Sequence, residues 1–411
     1  MDLLYNFGII IYRYLVLLAS LFDKKISLLW TGQHNGLKVL KTHIDPEAKD
    51  RYIWVHAASL GEFEQGRPII EKIKSEHPEY KVLLTFFSPS GYEVRKSYPL
   101  ADIVCYLPMD TLRNAHRFVN LVNPQMAIFI KYEFWANYLR ELHHNNIPTY
   151  VVSAIFRKEQ AFFKWYGHWY RGLLRNFTTI FVQDENSKRL LEAYNIHNVQ
   201  ISGDTRFDRV CEIAENPKEL PFLKDFAEDK KIIIAGSSWE KDEDLLISYF
   251  NKRKDIKLII APHIISNEHI FEICNKLQRP FMRFSELNKS TDMRKCECLV
   301  IDAIGFLSSV YRYGHIAYIG GGFGVGIHNT LEAAVYGMPV IFGPNYERFR
   351  EAVELIENNA AFTIDSYSGL SNILDRLLSD DFYLKQTSEN AAHYVAKNCG
   401  GTSIIMKELF K

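Results

Sequence analysis

The feature that most constrains this chain is an alternation. Short, near-continuous apolar runs of strand length are separated by stretches whose apolar residues recur at three- and four-residue spacing. The first runs are YIWVHAA (52–58), KVLLTFF (81–87), DIVCYLP (102–108), MAIFIKY (126–132), TYVVSA (149–154), TIFVQD (179–184) and VQISG (199–203). Unbroken hydrophobicity predicts strands covered on both faces, as in a parallel sheet. Helical patterns such as EQGRPIIEKIKSEHP supply the cover. A charged, proline-bearing stretch (214–230) interrupts the rhythm, which resumes with KIIIAGSS (231–238), KLIIAPH (257–263), CLVID (298–302), HIAYIGG (315–321) and PVIFGP (339–344). At 411 residues the chain exceeds what one core usually serves. Two doubly wound, Rossmann-like α/β domains are expected, with ligands beyond the carboxyl ends of the strands and in the cleft between the halves.

Composition excludes some classes. The 49 basic and 49 acidic residues cancel, so a nucleic-acid binder relying on a general positive field is not expected. The cysteines, at 105, 211, 274, 296, 298 and 399, have no zinc-like spacing and read as reduced thiols of a cytosolic compartment. No Asp-x-Asp sits at a strand end. DED (242–244) reads as a solvated helix face, and neither metal nor cofactor is expected.

The N-terminus stands apart. LLYNFGIIIYRYLVLLASLF (3–22) would span roughly 30 Å as a helix, about the hydrocarbon thickness. Its twelve Leu, Ile, Val and Phe favour insertion by about 5 kcal/mol, and Arg13 returns about 3. Asp2 stands where a signal peptide needs positive charge, while Lys24 and Lys25 suit an anionic leaflet. The segment reads as a membrane anchor, spanning or interfacial, against the alternative of a buried core helix. The expected division is an anchor (1–30), a first domain (31–213) opening on a Gly-, His- and Lys-rich linker (31–50), a linker (214–230) and a second domain (231–411).

YIGGGFGVGIHNTLEAAVYGMPVIFGP (318–344) carries the most chemistry. A strand runs into glycines and then a helix start near Asn329 and Thr330, an arrangement that exposes amides to an anion such as a phosphate. Glu332 is either a capping partner of Asn329 or an acceptor for ribose hydroxyls. In HAASLGEFEQGRP (56–68), Ser59 and Glu62 fit a capping box, yet Glu62 also lies at a sheet's carboxyl edge, where a carboxylate beside a helix dipole stays ionised and can take a proton. Glu64 reads as solvated. The basic, aromatic stretch 157–177 reads mostly as core, with Arg171 and Arg175 as candidates for lipid headgroups or acceptor phosphates.

HAASLGE, YEFWAN, SGDTRFD and the glycine segment, in that order behind a hydrophobic N-terminus, resemble the GT-B glycosyltransferases that attach 3-deoxy-D-manno-octulosonic acid (Kdo) from CMP-Kdo to the lipid A precursor. The resemblance implies two Rossmann-like domains facing a central cleft, and inverting, metal-independent transfer to lipid IVA in lipopolysaccharide biosynthesis. It also implies anchorage to the cytoplasmic face of the inner membrane. Glu62 inherits the role of base. Glu133 matches the second acid of a Glu-x-Glu-Leu-Trp pattern whose first acid is Lys131 here. Arg206 matches a family Lys expected on the donor's phosphate or carboxylate. The donor set comprises Ser237, Ser238, His263, Asp302, Gly305, Gly321, Gly322, Gly324, His328, Asn329, Thr330 and Glu332. Pro262 replaces a family Arg and Phe306 a family Glu. Another GT-B enzyme on a nucleotide sugar, and a non-catalytic membrane-tethered nucleotide-binding protein, are the alternatives.

Overall fold

The computed structural model describes residues 1–45, 47–227, 229–288, 291–324 and 326–411. The chain forms two compact units: Met1–Arg209 with Gly400–Lys411, and Val210–Cys399.

Among the described residues, unit one holds a seven-stranded sheet of β1 (Arg51–Ala57), β2 (Tyr80–Phe86), β3 (Ile103–Tyr106), β4 (Met126–Ile130), β5 (Thr149–Ala154), β6 (Thr179–Val182) and β7 (Val199–Ile201). The order is β3-β2-β1-β4-β5-β6-β7, with every pairing parallel. The chain therefore winds outward from β1 in one direction and restarts at β4 in the other. β1 and β4 are adjacent, with His56 opposite Phe129. This reversal opens a crevice at their carboxyl ends. Every residue of β4 is buried, which explains its unbroken apolar sequence. Trp54 anchors one face of the sheet: fully buried, it lies 4.6 Å from Phe118 and 5.1 Å from Phe129 between ring centroids, and its indole N–H donates to Thr85 Oγ1 at 2.8 Å.

Unit two repeats the plan with β8 (Lys231–Ser238), β9 (Ile256–Pro262), β10 (Phe281–Arg283), β11 (Cys298–Val300), β12 (Ile316–Ile319), β13 (Val340–Phe342) and β14 (Ala361–Thr363). The order β10-β11-β9-β8-β12-β13-β14 puts its reversal between β8 and β12. β10 and β14, three residues each, are too short to show as apolar runs.

Several expectations are corrected. The linker at 31–50 is largely helix α2 (Lys24–His43), which follows α1 (Asp2–Ala19). Its glycines serve packing: a Cβ on Gly32 would lie 2.3 Å from the Tyr106 ring, and one on Gly36 2.4 Å from the Tyr106 carbonyl oxygen. The stretch 214–230 contains a helix, Phe222–Ala227, that buries Leu223 and Phe226. The second domain does not run to the C-terminus, because Gly401–Leu409 returns to unit one as a helix whose first turn is held by Asp208, which accepts from the Thr402 N–H at 2.6 Å. Six reduced thiols were expected, but Cys211 and Cys399, 188 residues apart, form a disulfide; Cys105, Cys274, Cys296 and Cys298 are free thiols.

α1 is the one helix among the described residues long and apolar enough to cross a membrane, with mean hydropathy 1.4. It is not a core helix, since only Ile9 and Val16 are buried. Polar contacts tie it to unit one: Tyr5 donates to Asp110 at 2.6 Å, Asn137 donates to Asn6 at 2.9 Å, and Arg140 pairs with Asp2 at 2.5 Å. Burial and the Asp110 charge push the Tyr5 phenol up, and burial raises Asp110 to about 6.

Candidate active site

In unit one the crevice between β1 and β4 receives two carboxylates. β1 ends at Ala57, and α3 (Leu60–Glu76) begins after the extended Ser59. The expected capping box does not form. The Ser59 hydroxyl makes no bond to a helix amide and donates instead to Glu62 Oε2, so the half-exposed carboxylate is held from its own side of the turn. β4 ends at Ile130, and Lys131 enters the left-handed region at φ 68°, turning the chain so that Glu133 faces β1. Glu133 Oε2 lies 3.1 Å from His56 Nε2 and accepts from Trp135 Nε1 at 2.8 Å. His56 is fully buried, and its Nδ1 sits 2.9 Å from Thr85 Oγ1, which fixes the ring. Burial is the first cause that raises the Tyr132 phenol; the Asp184 and Glu62 charges add to it and Arg157 opposes. Glu62 and the turn carrying Glu133 thus share one electrostatic neighbourhood.

The sequence reading missed His56, although it stands inside a motif singled out there. Nothing local distinguishes a strand histidine that meets a carboxylate from one that packs. Glu64 is not simply solvated, because it accepts from Arg95 Nη2 at 2.7 Å. Arg206 is engaged within unit one: its Nε and Nη2 donate to Asp204 Oδ2 at 2.9 and 2.8 Å. Burial pushes the Asp204 carboxyl up, but Arg206 with its side-chain and backbone N–H bonds, joined by Lys131, outweighs this and holds it below the ordinary range. The charge expected on the donor is therefore largely answered by Asp204. In the stretch 157–177, Phe163 is buried and Trp169 packs 5.2 Å from Tyr5, while Trp165 is 91% exposed; Arg171 donates to the Phe162 carbonyl.

In unit two the reversal between β8 and β12 gathers most of the expected donor residues. β12 ends against the glycine loop, of which residue 325 lies outside the described residues. A Cβ on Gly320 would fall 2.2 Å from the Ser237 carbonyl, and one on Gly322 2.6 Å from Gly343 Cα, so these two glycines let the loop pack backbone against backbone. Gly321 takes φ +92°. Its N–H donates to Asp242 Oδ2 at 2.9 Å, which also accepts from the Trp239 N–H at 3.0 Å, while Tyr318 donates to Asp242 Oδ1 at 2.7 Å. DED is thus not a solvated face. Asp242 and Glu243 are buried, burial raises both carboxyls, and only Asp244 reaches solvent, where it pairs with Lys276.

Ser238 is buried and donates to Glu243 at 2.9 Å, which removes its hydroxyl from any anion; Ser237 is partly exposed in the left-handed region at φ 52°. Trp239, His263 and His328 form a stack, with centroids 4.8 Å apart for the first pair and 4.5 Å for the second. Burial, then the neighbouring His263, lowers the His328 pKa. Asn329 accepts from the Leu331 N–H and donates to Glu332, the capping account of that pair. The helix they open, Leu331–Ala334, is one turn long, and Thr330 is buried with its hydroxyl unpartnered. Asp302 is not directed at a ligand, since Arg283 and Ser285 take its oxygens; Gly305 is exposed at φ +88°. Beside the loop a cavity of about 280 Å³ is lined by residues 239–242 (Trp239, Glu240, Lys241 and Asp242) and by Gly321, Phe323 and Gly324. Lys241, with its Nζ 4.5 Å from the Phe323 centroid, and Arg348, packed on Gly326, are cations absent from the expected set.

Residues 34–209 match the family described as 3-deoxy-D-manno-octulosonic-acid transferase (kdotransferase). The chain is 28% identical over 334 residues to the 3-deoxy-D-manno-octulosonic acid transferase of Aquifex aeolicus (strain VF5), covering 80% of this chain and 86% of that one. Its identity to the protein of the same name in Rickettsia bellii (strain RML369-C) is 26% over 358 residues, covering 84% of each. Among solved structures, UDP-GlcNAc 2-epimerase from Neisseria meningitidis superposes with TM-score 0.60 at 16% identity, covering 87% of this chain and 99% of that one. MurG of Acinetobacter baumannii superposes with TM-score 0.55 at 12% identity, covering 87% and 98%. The architecture is GT-B.

Proposed function

We propose that the chain is a Kdo transferase, a glycosyltransferase that moves Kdo from CMP-Kdo to the lipid A precursor lipid IVA, with inversion, without a metal, and with Glu62 as the base. One observation carries this reading: each unit concentrates reactive groups at the reversal point of its own sheet, carboxylates in unit one and a glycine loop with flanking cations in unit two. Those are the places where doubly wound sheets bind ligands.

The step is a displacement. An acceptor hydroxyl oxygen bonds to the anomeric carbon of Kdo as Glu62 takes its proton, and the bond from that carbon to the phosphate oxygen breaks with its electron pair leaving on CMP. Ser59 orients the base. His56 and Trp135 hold Glu133, which positions the acceptor. In unit two, the loop amides with Lys241 and Arg348 meet the charge that grows on the departing phosphate. The Trp239–His263–His328 stack forms one wall of the donor site. α1 keeps the enzyme at the cytoplasmic face of the inner membrane.

The test is a donor panel. Purified full-length protein with radiolabelled CMP-Kdo and lipid IVA should give a labelled lipid of one anomeric configuration, inverted relative to the donor, and UDP-sugars should give none. Transfer from a UDP-sugar would assign the fold to another nucleotide-sugar enzyme.

A further inference from the structure

The chain passes between its units twice, at Arg209–Val210 and at Cys399–Gly400. The first passage lies inside one continuous helix, Thr205–Glu215. The second is a break. The helix Asp381–Asn398 stops at Cys399, Gly400 stands at φ +106° with open space where a Cβ would be, and the helix Gly401–Leu409 begins. Glycine holds that backbone without strain, and an element end of this kind is where a hinge absorbs rotation. The continuous helix grips both sides of the break. Beyond it, Asp208 accepts from the Thr402 N–H at 2.6 Å and from the Thr402 hydroxyl at 2.7 Å. Before it, Cys211, three residues after Asp208 and so on the same helix face, is bonded to Cys399. The disulfide is therefore a splint: with it the Gly400 break is held at both ends by one helix, and without it at one end only.

The surroundings of the other cysteines direct oxidation to this pair. Cys105, Cys296 and Cys298 are buried, and burial is the first cause that raises each thiol, Cys105 to about 12 and Cys296 to about 11. Burial also raises the half-buried Cys274. Thiols so held supply little thiolate and are poor nucleophiles. Cys211 and Cys399 are both partly exposed, within reach of a small redox reagent. The reading of the protein as an enzyme of the cytoplasmic face adds the last premise. In that reducing compartment disulfides are rare, and those that form are chiefly transient or redox-sensing.

We propose that Cys211 and Cys399 form a redox latch that slows transfer when closed and releases it when open. Closing is exchange with a small-molecule disulfide such as oxidised glutathione. One protein thiolate attacks that disulfide and expels a thiol; the second attacks the mixed disulfide and expels another. Two protein S–H bonds become one S–S bond, and the two electrons and two protons leave in two molecules of the reduced thiol. Reduced glutathione opens the latch by the reverse steps. The proposal rests on the functional reading above, in which Glu62 belongs to unit one and the donor groups to unit two. Turnover then depends on movement at the two passages, whereas CMP binding, confined to unit two, does not.

The test compares full-length protein equilibrated with oxidised or with reduced glutathione. Alkylation followed by mass spectrometry should count four thiols in the oxidised protein and six in the reduced. Hydrogen exchange of the amides of residues 399–404 should be about tenfold or more faster after reduction, as the break gains local freedom. Transfer from CMP-Kdo should be about threefold or more slower in the oxidised protein, with the CMP dissociation constant unchanged. Cys211→Ser and Cys399→Ser should behave as the reduced wild type under both conditions, and Cys274→Ser should keep the wild-type response. Melting temperatures equal to that of the reduced wild type establish that the serine variants fold. Six thiols after oxidation, a glutathione adduct in place of the bond, or exchange that ignores the redox state overturns the proposal. So do equal transfer rates in the two states, or a response that persists in Cys211→Ser. A protein whose thiol count and exchange shift as expected, but which transfers nothing from CMP-Kdo in either state, would sink the functional reading and leave the latch standing as a conformational device.

Discussion

Replacing Asp242 should loosen unit two by an amount that depends on what replaces it. The carboxylate is 1% exposed and accepts from three donors, the Tyr318 hydroxyl and the Gly321 and Trp239 N–H groups. Asp242→Ala strands all three, of which Tyr318 and Gly321 belong to buried residues. At about 1–3 kcal/mol for each buried unsatisfied donor, reduced because the burial cost of the carboxylate disappears with it, the net loss is about 2–4 kcal/mol. Asp242→Asn keeps an oxygen for the two amides, and the Tyr318 hydroxyl can turn to accept from the new NH2, so the cost is about 1 kcal/mol. For a unit of this size these losses become roughly 4–16 °C and roughly 2–4 °C in melting temperature. Differential scanning calorimetry of the full chain, with and without CMP, reads both variants. CMP should also stabilise the alanine variant less than the wild type, because the glycine loop is no longer tied down through the Gly321 N–H. An alanine shift under about 2 °C, or one no larger than the asparagine shift, would refute the claim that Asp242 holds the loop in place.

Three further outcomes are expected. Gly32→Ala puts a methyl into the buried Tyr106 ring and should destabilise unit one by about 1–3 kcal/mol, while Gly8→Ala, with open space around it, should be neutral or slightly stabilising in the same unfolding experiment. Arg279 first, and Lys230 with it, hold the Glu297 carboxyl down at about 2 against an ordinary value of 4.5, so its stabilisation is complete above pH 4.5 and fades as pH falls toward 2. Glu297→Gln should therefore be less stable than wild type at neutral pH by a gap that narrows below pH 4.5, and a gap constant across that range would contradict the ion pair. Transfer activity should survive EDTA; a requirement for magnesium or manganese would refute the metal-free donor site.

What the amino-acid sequence discloses follows from what is local. Strands such as Met126–Ile130 are buried on both faces and so announce themselves as unbroken apolar runs. The glycine loop and Glu62 are legible for a similar reason, because a strand's end, small residues and a helix start are neighbours in the chain. Contacts across the fold are not. Gly32 and Gly36 look like linker residues until Tyr106 is seen against them, and Asp242 and Glu243 look solvated until the β12 loop and Ser238 are seen above them. The partnership of His56 with Glu133 joins residues 77 positions apart through the pairing of β1 with β4. Gly401–Leu409 returns to unit one for reasons of topology that its own residues do not state.

Removal of the acceptor proton by Glu62 is tested most directly by neutralising that one side chain. Glu62→Gln keeps the shape and the Ser59 contact but cannot take the proton, so the rate of transfer from CMP-Kdo to lipid IVA should fall about 10²- to 10⁴-fold while CMP binding and melting temperature stay at wild-type values. A variant that transfers Kdo at the wild-type rate would contradict the account.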